Sequence, residues 1–92
     1  MKQNSMEVYT YKNISASGLV KTGNGQIKGV IINSHTVGTL KLWDAVTAAV
    51  PVICNTITFG AAERFVPLYD IEFTVGLYAT IGGTADITIV YK

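Results

Sequence analysis

A single cysteine and a single histidine remove most of the chemistry that a small protein usually carries in its side chains. Cys54 has no cysteine to pair with, so no intrachain disulfide can staple the fold. It lies in Val52-Ile53-Cys54, with no adjacent histidine or cation, and reads as a small buried hydrophobe rather than a reactive thiol. His35 sits between Ser34 and Thr36 in a turn-like stretch, and no nucleophile elbow accompanies it, so it reads as a solvated loop histidine. The carboxylates are Glu7, Asp44, Glu63, Asp70, Glu72 and Asp86. Asp70 and Glu72 share a strand face by their spacing, but two ligands make neither a calcium site nor a glycosidase pair. A solvated strand face, or a pair with Arg64 or Lys12, is the expectation. No catalytic, cofactor-binding or metal-ligating residue is assigned, and no cofactor is expected.

Charge is also scarce: 14% of residues are charged and the net charge is +1. The basic residues are scattered from Lys2 to Lys92 without a run, which argues against nucleic-acid binding through phosphates. The longest uncharged segment, Ala45 to Ala62, is broken by Thr47, Pro51, Asn55, Thr56, Thr58 and Gly60 and is too polar to span a membrane. Met1 to Glu7 lacks an apolar core, so a cytosolic site of synthesis is expected. Lys21-Thr22 beside Gly23 and Gly25 lacks the order of a phosphate loop. Asn13-Ile14-Ser15 matches a glycosylation acceptor but means little without a secretory signal.

What the chain does have is apolar surface: 49% hydrophobic residues in 92, with a mean hydropathy of +0.36. That length fits one domain with a thin core. The excess suggests either subunit contacts or a Val, Ile and Ala-rich sandwich that buries both sheet faces. Strand signals recur about every ten residues between Gly, Asn and Ser. They run over Glu7–Lys12, Gly18–Lys21, Gln26–Asn33, Thr39–Trp43, Val52–Phe59, Arg64–Leu68 and Ile71–Phe73. In Gln26–Asn33, alternation places Ile27, Gly29 and Ile31 on one face and Lys28, Val30 and Ile32 on the other, as in a central strand. Gly23-Asn24-Gly25 and Asn33-Ser34-His35 read as turns. Asp44–Val50 is the one plausible helical turn, capped by Asp44 and closed by Pro51. Pro67 places its strand near an edge. The expected architecture is an all-β, single-domain antiparallel β-sandwich, jelly-roll-like, over residues 6–92, preceded by a flexible polar arm at residues 1–5.

Phe73 to Tyr91 reads as a closing hairpin with a three-residue loop at Ile81, Gly82 and Gly83, Gly83 left-handed. One face then carries Phe73, Val75, Leu77, Ala79, Ala85, Ile87, Ile89 and Tyr91. The other carries Thr74, Gly76, Tyr78, Thr80, Thr84, Asp86, Thr88 and Val90, nearly uncharged and rich in threonine. Trp43 points away from Leu40 and Leu42 by its spacing. Trp and Tyr are the residues expected to anchor interfaces, so Trp43, Tyr78, Thr80, Thr84 and Thr88 are the candidate interface residues.

Four segments carry a resemblance to a known class: Gly38 to Asp44, Asn55 to Phe59, Pro67-Leu68 and Gly76 to Asp86. From about Ile14 onward the chain resembles small virion structural proteins of tailed bacteriophages, of the capsid decoration or head-fibre type. The resemblance implies a non-enzymatic β domain, made in the bacterial cytoplasm and located in the virion. Its implied partners are a major capsid protein or a fibre protein and further copies of itself, a trimer if it sits at capsid three-fold positions; nucleic acid and membrane are excluded from the expectation by charge and hydropathy. It transfers no functional residue. The alternatives are a tail-fibre or receptor-binding tip and a carbohydrate-binding module using Trp43 and the tyrosines; a hydrolase or transferase comes last.

Overall fold

The computed structural model describes residues 8–92, and the expected arm at residues 1–5 lies outside them. The described chain is all-β, a single antiparallel domain with no helix. Its elements are β1 (Thr10–Ile14), β2 (Gly18–Thr22), β3 (Gly25–Trp43), β4 (Val52–Thr58), β5 (Phe65–Phe73) and β6 (Gly76–Tyr91). Two of these are long: β3 has 19 residues and β6 has 16. They pair with each other along almost their whole length, from Ile27↔Tyr91 to Trp43↔Tyr78. Extended, β6 would span about 53 Å. The longest dimension of the domain is 47 Å, so the two strands form its spine.

The short strands hang on this spine in pairs. β1 lies along the C-terminal half of β6 and β2 along its N-terminal half. β5 lies along the N-terminal half of β3 and β4 along its C-terminal half. One half of the sheet therefore has the order β1-β6-β3-β5 and the other β2-β6-β3-β4.

The expected hairpin at Phe73–Tyr91 is not formed: β6 runs straight through Ile81, Gly82 and Gly83. Its face assignment survives, because odd-numbered residues share a side in a continuous strand as well as across a three-residue loop. Phe73, Leu77, Ala79, Ala85, Ile87 and Ile89 are all buried, while Val75, in the turn before β6, is exposed. Gly83 is left-handed as expected, with φ 67°, but within a strand.

The alternation in β3 is the more instructive correction. Its register against β6 shifts at three places, between Ile27 and Gly29, Ile32 and Ser34, and Thr36 and Thr39. Each shift gives β3 one extra residue, a β-bulge, and each bulge reverses which parity points inward. The buried side chains accordingly run Ile27, then Val30 and Ile32, then Leu40 and Leu42, with half-buried His35 opposite Ala85 between them. Ile27 thus joins Val30 and Ile32 instead of Ile31, which is exposed. Asn33-Ser34-His35 is no turn; it is the second bulge of a strand that continues. Burying Ile87 or Ile89 against this face stabilises by about 1.5–3 kcal/mol each.

Asp44–Val50 forms bends rather than a helical turn. Asp44 is still a cap, but for the chain opposite. Its carboxylate accepts the backbone N–H groups of Thr74 and Val75 at 3.0 and 2.7 Å and that of Gly76 at 3.2 Å. The Thr74 hydroxyl donates to it as well, at 3.2 Å. These bonds fix the β5–β6 turn, so β6 enters the sheet in the register that buries Leu77.

At the third bulge, Val37 has φ 52° and Gly83 faces it across the ladder. A Cβ on Gly83 would lie 2.1 Å from the Val37 carbonyl oxygen. Gly83→Ala therefore meets both a backbone clash and a left-handed φ, and is expected to destabilise the fold by about 2–4 kcal/mol. A urea titration that moved the midpoint no further for Gly83→Ala than for Thr84→Ala would contradict this reading.

Candidate functional site: the outward face of the sheet

The even-numbered residues of β6 and their β3 neighbours form the face opposite the core. Row by row, register places Leu19, Tyr78, Trp43 and Val52 side by side at one end. Tyr11, Val90, Gly29 and Pro67 line up at the other end, with Asn13, Thr88, Ile31 and Phe65 in the next row. Each end thus carries an aromatic and aliphatic cluster. Leu19, Val52, Tyr11, Ile31 and Phe65 are exposed, and Trp43, Tyr78 and Val90 half-buried.

The middle of the face is polar. Asn13 Nδ2 donates to Asp86 Oδ1 at 2.7 Å and to the Ile87 carbonyl at 2.9 Å. From β3, Asn33 Nδ2 donates to the same Asp86 oxygen at 3.0 Å and to Thr88 Oγ1 at 3.1 Å. These side-chain bonds hold the Asp86 carboxyl below its ordinary pKa. The second bulge of β3 is what turns Asn33 outward to reach them. This network ties β1, β6 and β3 together across the outer surface.

All five candidate interface residues lie on this face. Trp43 and Tyr78 are direct cross-strand partners, and Trp43 Nε1 donates to Thr80 Oγ1 at 2.9 Å. Thr84 pairs with Thr36 at the centre, and Thr88 belongs to the asparagine network. The Trp43 ring is not an open platform: Lys41 Nζ sits 4.3 Å from its centroid. Phe65 and Ile31 were not anticipated from the sequence, whereas Tyr11 belongs to the tyrosines weighed there beside Trp43. Phe65 follows directly on Arg64, and only the pairing with Ile31 and the close approach of its ring to Gly29 reveal that it faces outward.

The remaining chemistry-bearing residues make contacts within the fold. His35 is not a solvated loop residue; its Nε2 donates to the Gly60 carbonyl at 2.9 Å and its Nδ1 accepts from the Gly38 N–H at 3.2 Å, which sets the tautomer. Its ring also meets Phe59 edge-on at 5.4 Å. Cys54 is half-buried beside the core, and burial raises its thiol pKa. Asp70 accepts the Tyr9 hydroxyl at 2.5 Å. Among the described residues no three His, Cys, Asp or Glu side chains cluster as a metal site would need.

The edges of the sheet are blunted. β2 carries a register shift and Lys21, β4 carries two shifts, and β5 carries Pro67 and a bulge at Tyr69-Asp70. β1 presents Lys12, whose ammonium bonds the Leu19 carbonyl at 3.1 Å. No family model, curated protein or solved structure matches this chain.

Asp44 and Asp86 make the fold sensitive to acid. Burial raises the pKa of Asp44, but the three backbone N–H groups and the Thr74 hydroxyl outweigh it and the net shift is downward. A lowered folded pKa means that the unfolded chain binds protons more readily near pH 4. Stability from both carboxylates is therefore complete above the unfolded carboxylate pKa of about 3.9 and is lost as pH falls through their lower folded values. Asp44→Asn is expected to cost about 1–2 kcal/mol at pH 7, discounted for exposure, and to flatten the pH dependence below pH 5. Urea midpoints measured from pH 7 to pH 2 check this; an Asp44→Asn curve parallel to that of the wild type would refute it.

Proposed function

We propose that this protein is a non-enzymatic virion structural protein that decorates or cements a phage capsid through protein–protein contacts. The observation that carries the proposal is the outward face, with two apolar aromatic clusters flanking a hydrogen-bonded polar band. Trp43, Tyr78, Tyr11 and Phe65 are the residue types that anchor interfaces, and the central network of asparagines around Asp86 supplies direction with a single negative charge. With β3 and β6 each divided at their midpoint, the two half-sheet orders are those of a jelly roll whose two long strands run unbroken from one half into the other. Viral capsid and lectin domains use that arrangement. The resemblance of the sequence to capsid decoration and head-fibre proteins supports the same reading. In it, the outward face meets the major capsid protein or a neighbouring copy, in a trimer at capsid three-fold positions.

A tail-fibre tip or carbohydrate-binding module that relies on Trp43 has less support, since Lys41 covers the indole and Thr80 takes its N–H. Co-sedimentation with expanded capsids from the genome that encodes this chain tests the proposal, alongside light scattering for the oligomer. Binding is expected, reduced about tenfold or more by Trp43→Ala and by Phe65→Ala, the size of loss typical of an interface anchor. A monomer that stays in the supernatant would overturn the proposal.

A further inference from the structure

At the β5 end of the domain, a shallow cleft of about 210 Å³ is lined by Lys28, Phe65, Pro67, Tyr69 and Asp70. Two bulges make it. The first bulge of β3 turns Lys28 out of the ladder, and on β5 the register shift between Pro67 and Ile71 throws Tyr69 and Asp70 outward. Tyr69 and Asp70 are consecutive non-glycine residues in the left-handed region, with φ 55° and 61°. Aspartate tolerates that conformation, but a tyrosine there is a strained outlier. The result is a tyrosine 82% exposed to solvent, on a segment whose backbone would be more relaxed with glycine. Strain held at an exposed aromatic beside a cleft points to use of the side chain.

We propose that this cleft is a glycan-binding subsite for a single hexopyranose ring. The apolar face of the sugar stacks on Tyr69 and Phe65, and its hydroxyls bond to the Asp70 carboxylate and the Lys28 ammonium. Phe65 is held in place by packing against Gly29, where a Cβ would lie 2.4 Å from its ring. Asp70 accepts the Tyr9 hydroxyl through Oδ1, and a carboxylate has further acceptor positions for sugar hydroxyls. Lys28 Nζ stands 5.1 Å from the Tyr9 ring centroid, so Tyr9 positions both polar groups. The cleft is smaller than the roughly 300–1,000 Å³ of sites that engulf a drug-sized ligand, which fits one ring of a longer chain.

Two other ligand classes fit less well. A peptide adding as a strand would need regular backbone partners, and this edge is interrupted by Pro67 and the bulge. A phosphate ligand would meet the Asp70 carboxylate. The subsite borders the outward face at Phe65, which both surfaces share, but it does not rest on the capsid reading.

Saturation-transfer NMR on the full chain, with glucose, galactose, mannose and N-acetylglucosamine at millimolar concentration, tests the assignment. At least one sugar is expected to show transfer, which Tyr69→Phe retains and which Tyr69→Ala and Asp70→Asn weaken about tenfold. Tyr69→Gly is expected to abolish transfer while leaving the melting temperature unchanged or raised, since it releases the strained φ. Absence of transfer for all four sugars would overturn the proposal. So would transfer that persists in Tyr69→Gly or that is lost only in Trp43→Ala.

Discussion

The structure depends on one long antiparallel ladder, the pairing of β3 with β6. Every other strand is hydrogen-bonded to one of these two. The ladder is also where sequence and shape are reconciled. β6 keeps one parity along its length, while β3 inserts an extra residue at each of three shifts. Those insertions let a chain segment of mixed parity present Ile27, Val30, Ile32, Leu40 and Leu42 to one side. They also increase the local twist, which curls the sheet about its buried face.

The same bulges compose the outer surface. Asn33 reaches Asp86 and Thr88 because it is the extra residue of the second shift, and Lys28 stands at the cleft because it is the extra residue of the first. Edges interrupted by bulges and proline are poor templates for the addition of a further strand.

The apolar face of β6 was legible because alternation survives any reading that keeps parity. The continuity of β6 was not. Ile81-Gly82-Gly83 has the composition of a hairpin loop, and only the Val37 carbonyl against Gly83 shows that these glycines admit a bulge instead. Asn33-Ser34-His35 misled for the same reason: a bulge and a turn draw on the same small polar residues. Asp44 was expected to cap a helical turn that does not form, and the N–H groups it accepts instead begin thirty positions away in the chain. Trp43, Tyr78, Thr80, Thr84 and Thr88 fell on one face by parity, whereas Phe65 and Tyr69 depend on β5 register, which carries no periodic signal through its bulge.

Among the described residues, strands β1 and β2 form ladders with β6 alone. During synthesis they leave the ribosome long before residues 76–91 exist, and β3 likewise waits for its principal neighbour. Because β6 is the strand that joins β1 and β2 to β3, that part of the sheet closes only once residues 76–91 are in place, and the ladder at the centre of the fold is built from contacts between distant parts of the chain.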